Sequence, residues 1–506
     1  MANNVESELK FVFAPEYLGV VQAALREETK GQAARRRLVS HYFDTDDDYL
    51  WRHAVTLRVR QEGEQSVQTI KRQKASALDR DEFEAQTEGD APNLKAIRRS
   101  PMARLFRKTK VRDHLRGNLD VDVERETSAI ELHGSEVEAA LDTGQIRSDG
   151  RALQFSELEL ELKSGERKIL FELARTLCVD TPIALSLISK AERGHLLAKD
   201  AWGRSFKGRQ PKIAKRMNCA EAFQTICHAC LHDFTLNTQA LKGDDRVEAV
   251  HQGRIALRRL RAALQLFRPI VHDPEYQRLD DELKWMAHVF GDARDLDVFQ
   301  ESFSKGEART DDSPSARELA DLTDAKRNEA HDRVNKGVDS ARLRLLLVDL
   351  TEWIENGFWR TNESRWREPI ARFARRALKK RLGKFVKRAR NLAELDPAAQ
   401  HKVRIRAKKL RYMAGFFKTA PKLVSRRRAL AKLLDRLEQM QNCLGEIHDE
   451  QARAAFLIDE VRHLPSGADP MIAFAAGRIA RSAAGDDKRL AIAAKAYQDL
   501  AASSPF

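Results

Sequence analysis

Glu6-Ser7-Glu8-Leu9-Lys10 places two carboxylates and an ammonium at alternate positions. On a β-strand alternate side chains share a face, so Glu6, Glu8 and Lys10 point the same way. The pattern returns along the first 200 residues. Arg58 and Arg60 share a face; so do Asp120, Asp122 and Glu124; so do Glu157, Glu159, Glu161 and Lys163, opposite three leucines. For any one strand, a charged face is ordinarily a solvated outside face. The set includes both signs, with Lys71, Arg80 and Arg112 adding to the cations. A closed antiparallel barrel with a polar lumen would use them all. In such a lumen carboxylates bind a hard divalent cation through oxygen, and Arg and Lys bind phosphate. Acids and bases facing one cavity suit a metal–triphosphate complex.

A second constellation is helical. His251, Arg254, Arg258 and Arg261 recur as His401, Arg404, Lys408 and Arg411, each shifted by 150 residues. Offsets of 0, 3, 7 and 10 fall on one helix face, so each set forms a basic stripe. Gly291-x2-Arg294-Asp295 recurs loosely as Gly445-x2-His448-Asp449. A solvated face with scattered ion pairs is the usual fate of a charge run, but repetition at a fixed offset favours an anion site. Residues 371–432 hold 22 Lys and Arg against Glu394 and Asp396. His251 and His401, with Asp295 and Asp449, also have metal-capable donor types. Cys227 and Cys230, one helical turn apart without a second pair, read as core cysteines.

The elements that position these residues divide the chain in two. Residues 1–203 show short alternating runs, among them Glu6–Phe13, Thr56–Gln61, Asp81–Gln86, Phe106–Arg112, Leu119–Glu126 and Phe155–Lys163, separated by turn signals such as Glu62-Gly63 and Asp149-Gly150. Residues 204–217 read as a linker. Residues 218–503 follow helical periodicity in two halves, about 218–360 and 365–503. The expected architecture is an α+β domain with an eight-stranded antiparallel tunnel, then two pseudo-symmetric four-helix bundles.

With 506 residues, 42% apolar and 33% charged, the chain is globular in composition and too long for one core. Residues 1–210 carry 35 basic and 35 acidic side chains; residues 211–506 carry 55 and 41, the whole net +14. The second half therefore faces an anionic partner. No run of 18 apolar residues is present, the N-terminus is charged, and five scattered cysteines fit a reducing compartment. A cytoplasmic location is expected, without membrane partners. Nucleic acid is disfavoured because few aromatics interleave with the basic run.

The ordered motifs Glu6-x-Glu8-x-Lys10, Tyr42-Phe43-Asp44-Thr45, Leu57-Arg58-Val59-Arg60, Thr69-Ile70-Lys71, Arg80-x-Glu82, Val137-Glu138, Leu141-Asp142-x-Gly144, Glu157-Leu158-Glu159-Leu160-Glu161 and Ser189-Lys190-x-Glu192-Arg193-Gly194 resemble the CYTH superfamily of triphosphate tunnel metalloenzymes. The resemblance implies Mg2+- or Mn2+-dependent chemistry on a triphosphate. It assigns Glu6, Glu8, Glu157 and Glu159 to the metal. It assigns Lys10, Arg58, Arg60, Lys71, Arg80, Arg112 and Lys190 to the triphosphate, and Glu159, Glu82 and Glu138 to catalysis. The repeats resemble the CHAD domain, which implies polyphosphate binding by His251, Arg254, Arg258, Arg261, His401, Arg404, Lys408 and Arg411. The fusion resembles bacterial inorganic triphosphatases that split tripolyphosphate into pyrophosphate and phosphate. Thiamine or nucleoside triphosphatase, adenylate cyclase, and a non-catalytic polyphosphate scaffold are the alternatives.

Overall fold

The computed structural model describes the chain except for residues 1–4, 30–32, 64, 74–75, 77, 306–313, 463–470, 472, 474–485 and 504. Two compact units emerge. The first comprises Met1–Lys207, Leu231–Gln252 and Gly337–Phe358; the second comprises Gly208–Cys230, Gly253–Lys336 and Trp359–Phe506.

The first unit is built on a sheet of β1 (Val5–Phe13), β2 (Ala34–Asp44), β3 (Val55–Glu62), β4 (Gln65–Gln73), β5 (Asp79–Thr87), β6 (Arg116–Leu132), β7 (Ser135–Ser148), β8 (Arg151–Ser164) and the short β9 (Ala184–Leu185). The order is β5-β4-β3-β2-β6-β7-β8-β1-β9, and β1 also pairs with β5. That last pairing closes eight antiparallel strands into a tunnel. Directly opposed residues of an antiparallel pair share a face. The register can therefore be followed round the ring: Lys10 opposes Glu159, Glu157 opposes Asp142, Asp142 opposes Arg125, Tyr42 opposes Arg58, Lys71 opposes Glu82, and Glu6 opposes Arg80. One continuous inner face results, and its charges come from nearly every strand.

The outer face explains why the charge patterns looked alike. On β1 and β8 it carries the buried Leu9, Phe11, Leu158 and Leu160. On β3 and β4 it carries Val55, Leu57 and Ile70, packed with Ile97, Met102, Phe106 and Val111. On β6 it carries Asp120, Asp122 and Glu124, which stay toward solvent; Asp122 pairs with Arg37 at 2.7 Å and Asp120 with His41 at 2.7 Å. Thus the solvated-face reading holds for that triplet, while Glu157 and Glu159 face inward. Part of the lumen is plugged by Leu38, Leu119, Val121, Val123, Ile146 and Phe155, with Leu197 packed against them.

Helices are α1 (Leu18–Glu28), α2 (Tyr49–Arg52), α3 (Leu94–Ile97), α4 (Thr109–Asp113), α5 (Lys168–Asp180), α6 (Lys190–Ala198), α7 (Cys219–Ala240), α8 (Arg246–Val271), α9 (Pro274–Lys305), α10 (Pro314–Val338), α11 (Ala341–Asn356), α12 (Glu363–Trp366), α13 (Ile370–Arg388), α14 (Pro397–Gly415), α15 (Arg427–Arg462) and α16 (Asp486–Ala501). The C-terminal region is all helical. Within the first unit α11 packs on α5, where Arg175 binds Asp349 at 2.8 Å and also Glu352. In the second unit α13, α14, α15 and α16 pack on one another. Cys227 and Cys230 are buried, as expected of core cysteines. No described helix is long and apolar enough to cross a membrane.

Two strand expectations change. Leu119–Glu126 is part of a longer strand, β6, which runs on to Leu132. Phe106–Arg112 is no strand: residues Ala103–Arg107 form a 3-10 turn and Thr109–Asp113 form α4. Phe106 and Val111 then fill the outer core, which accounts for an apolar spacing that imitated strand alternation.

Candidate active site in the tunnel

Two walls of the lumen differ in sign. Asp142 on β7 and Glu157 and Glu159 on β8 place a carboxylate oxygen each within 4.8 Å of one another. They are the one such donor group among the described residues, so the histidine stripes hold no comparable cluster there. Four cations hold the three acids. Lys10 lies 3.2 Å from Glu157 and also binds Glu159. Lys190, at the start of α6, lies 2.8 Å from Asp142 and 2.9 Å from Glu159. Arg125 donates to both Asp142 oxygens at 2.7 and 2.6 Å and to Glu159 at 2.5 Å. Arg193 binds Glu157. Asp142 and Glu157 are fully buried.

Electrostatics follow from burial and from the facing charges. Burial alone would raise the Glu159 carboxyl, but Lys10, Lys190 and Arg125 hold it well below the usual range. Burial would also raise Glu8, yet Arg80 and Lys10 pull it down to about 2. Burial would lower Lys10 and Lys190; the facing carboxylates raise both instead. All these groups are therefore charged at neutral pH. The oxygen-only donor set fits a hard divalent cation, and the surrounding cations already supply the countercharge that three clustered acids need.

The wall formed by β2 and β3, three strands round the ring from that of β7 and β8, is cationic. Arg58 donates to Thr69 at 3.1 Å, and its Nε is buried without a hydrogen-bond partner. Arg60 donates to Ser40 at 3.3 Å. Burial, then repulsion from Arg58 and Arg125, brings the Arg60 guanidinium down to about 10. Burial would raise the Tyr42 hydroxyl, but Arg58 and Arg60 lower it. Burial would lower Arg58, but Tyr42 and Glu82 raise it, so Arg58 keeps its charge while Arg60 is left short of countercharge, an arrangement suited to an anion.

The remaining expected residues fall as follows. Glu8 binds Arg80; Lys71 pairs with Glu82 at 3.1 Å; Glu138 pairs with Lys163 at 3.2 Å, on the inner face. Glu6 opposes Arg80 in the ladder, and its side chain lies outside the described residues. Arg112 lies on α4, with its guanidinium 3.4 Å from Thr109, so it is not a wall residue of any strand. Asp142, Arg125, Arg193 and Tyr42 were given no role from sequence. Parity would have found the first two: Asp142 shares a face with Glu138, and Arg125 lies on the valine side of the strand whose acids drew attention. Arg193 is one helical turn after Lys190.

In the second unit the two basic stripes meet. Burial and then Arg258, Arg404, Arg254 and Arg411 push the Lys408 ammonium down to about 7. Burial and then Arg254 lower Arg258, with Arg404 adding to the effect. The repeat geometry matches: Arg254 binds Asp295 at 2.6 Å and Arg404 binds Asp449 at 3.2 Å. Each guanidinium crosses a glycine, Gly291 or Gly445, 3.6 Å from where a Cβ would stand. Arg261 and Arg411 are held by Asp280 and Glu438. The His401 and His448 rings lie 4.0 Å apart, tilted by 44°. His251 belongs to the first unit.

Family models match both parts of the chain. The CYTH domain model matches residues 4–195 and the CHAD domain model residues 225–458. The inorganic triphosphatase of Haemophilus influenzae is 30% identical over 197 residues, 38% of this chain and 54% of that protein, so the match spans about half that relative's length. The CHAD domain from Ricinus communis is 25% identical, with a TM-score of 0.49 over 59% of this chain and 97% of that one. The putative adenylyl cyclase HpAC1 from Hippeastrum is 18% identical, with a TM-score of 0.28 over 38% and 96%. At these TM-scores the structural likenesses carry no functional weight. By its family matches, the chain joins a CYTH domain to a CHAD domain.

Proposed function

We propose that the tunnel hydrolyses inorganic tripolyphosphate to pyrophosphate and phosphate with Mg2+ or Mn2+, and that the CHAD domain binds polyphosphate. The observation that carries the reading is the pairing of a three-carboxylate cluster with a cationic wall inside one closed barrel. A receptor for anions alone gains nothing from Asp142, Glu157 and Glu159. The relative named an inorganic triphosphatase favours the inorganic substrate.

Asp142, Glu157 and Glu159, with Glu8 close by through Lys10, would hold the cation, which when bound draws charge from phosphoryl oxygens. Arg58, Arg60, Lys71 and Arg80 bind the chain of phosphates, and their fixed positions supply orientation as well as charge. Water attacks the terminal phosphorus, the bridging P–O bond breaks, and pyrophosphate leaves. Glu159 is too acidic to take the water's proton; Glu82 and Glu138 are lumen carboxylates outside the cluster and suit that role. No covalent enzyme intermediate is needed. Arg254, Arg258, Arg404 and Lys408 form the cationic surface for polyphosphate.

The test is phosphate release from tripolyphosphate, thiamine triphosphate, ATP and long-chain polyphosphate, with and without Mg2+ or Mn2+. Even outer partners of metal ligands are worth about 10–100-fold, so Glu159→Gln should lose more than about 100-fold with tripolyphosphate. Turnover that survives in E159Q, or that needs no metal, would overturn the mechanism.

A further inference from the structure

The groups that grip the acid cluster do not all come from the barrel. Lys190 and Arg193 sit on α6, a nine-residue helix whose placement decides where both cations end. Ser189 caps its first turn, accepting from the Glu192 amide at 3.1 Å. Gly194 lies so close to β6 that a Cβ there would meet Leu119 at 2.3 Å. The turn between these points carries Glu192, which faces neither the lumen acids nor water. Its carboxylate binds His232 at 3.0 Å. His232 lies on the part of α7 that belongs to the tunnel unit, and Leu236 one turn later packs on Ile188 and Leu196, which flank the same stretch.

We propose that His232 is a positioning residue of the tunnel: through Glu192 it fixes the first turn of α6 and so sets the reach of Lys190 and Arg193 to Glu157, Glu159 and Asp142. The assignment rests on the tunnel being the triphosphate site. It gives a segment of the helical half a role in the tunnel.

The charged neighbours of His232 are Glu192 from α6 and Asp233, 3.9 Å away on its own helix; the Phe206 ring meets it edge-on at 6.1 Å. Burial would lower the imidazole, but Glu192 and Asp233 outweigh it and hold it up at about 9. The ion pair is therefore intact at neutral pH. Its contribution to stability is complete below about 6.5, the ordinary histidine value, and is lost as pH rises to about 9. Lys10 and Lys190 are shifted upward and keep their charge through that window.

The test compares the full-length chain with His232→Gln and His232→Lys by amide hydrogen exchange and by tripolyphosphate kinetics from pH 7 to 10. In the unsubstituted protein, protection of residues 190–198, corrected for intrinsic exchange and referred to α5, should fall above pH 9. KM should rise about fivefold or more over the same range, with kcat nearly constant. H232Q should show the weak protection and high KM already at pH 7 and lose the alkaline step in protection. H232K should restore the neutral-pH values and hold α6 protection to pH 10; near pH 10 the Arg60 guanidinium, brought down to about 10, adds a rise in KM that all three proteins share. A H232Q exchange profile that keeps the step, or a H232K variant that fails to restore α6 protection, overturns the proposal. Absence of triphosphate turnover in the unsubstituted protein would refute the functional reading, while the exchange data would still decide the role of His232 in holding α6.

Discussion

Arg60→Gln separates binding from folding because the two should move in opposite directions. With its pKa brought down to about 10, well below the ordinary arginine value, the Arg60 guanidinium is held in a folded environment that disfavours its charge. At 1.36 kcal/mol per unit this amounts to about 3 kcal/mol of destabilisation in the empty tunnel at neutral pH. The sign follows from linkage. A base with a depressed folded value destabilises fully below that value, and stability returns only as pH rises above about 10 toward the ordinary arginine value. Glutamine removes the repulsion from Arg58 and Arg125 and gives up the hydrogen bond to Ser40, worth about 1 kcal/mol. The empty variant should therefore be more stable by about 1–2 kcal/mol. Binding should weaken, since removing one partner of a buried, hydrogen-bonded charge pair costs about 2–5 kcal/mol. A 100-fold loss corresponds to about 2.7 kcal/mol. Urea denaturation of the full chain in EDTA, with and without tripolyphosphate, reads both quantities without turnover. At a ligand concentration of 100 times Kd the unsubstituted protein should gain about 2.7 kcal/mol, whereas the variant should gain about 0.4 kcal/mol. A variant that is less stable when empty, or one stabilised by tripolyphosphate as strongly as its parent, would refute the cationic-wall argument.

Other expectations concern the CHAD domain. Arg254→Ala combined with Arg404→Ala should weaken polyphosphate binding at least tenfold and flatten its salt dependence, as measured by titration calorimetry at several ionic strengths; tripolyphosphate turnover should stay within twofold. Lys408, whose ammonium is pushed down to about 7 by burial and four arginines, should take up a proton when an anion binds. Affinity should then be about tenfold higher at pH 6 than at pH 8, and Lys408→Arg should abolish that difference. Heats that do not depend on the buffer's ionisation enthalpy near pH 7 would rule out the coupling.

How much of this was legible in the sequence depends on what each signal encodes. Strand alternation states that two side chains share a face and leaves open which face. Asp120, Asp122 and Glu124 and the run Glu157, Glu159 and Glu161 are equivalent as patterns, yet the first set faces solvent beside Arg37 and His41 while Glu157 and Glu159 meet Lys10, Lys190 and Arg193. Closure decides between them, because the β1–β5 pairing carries one parity round the ring, and closure is non-local. The same parity explains why Arg125 was missed: among valines it reads as an interruption of an apolar face, whereas inside the tunnel it bridges Asp142 and Glu159. Phe106–Arg112 misled for the converse reason. Its apolar residues recur at a spacing that a turn and a short helix can also present to the outer core, so Arg112 was placed on a wall that does not exist. The helical stripes were easier to read, since a repeat at a fixed offset carries its own register. The equivalence of Arg254 with Arg404 and of Asp295 with Asp449 follows from that repeat, whereas the pairing of each arginine with its aspartate, in place of the His251 and His401 partnership that the donor types suggested, is visible only in the structure. What the repeat could not supply is Lys408 among Arg254, Arg258, Arg404 and Arg411, because that depends on the two stripes meeting. Like charges brought together in this way oppose folding unless an anion joins them. In the tunnel the guide is different: Asp142, Glu157 and Glu159 are already compensated by Lys10, Lys190, Arg125 and Arg193, and it is the oxygen-only donor set facing the Arg58 and Arg60 wall that suits a cation together with an anion.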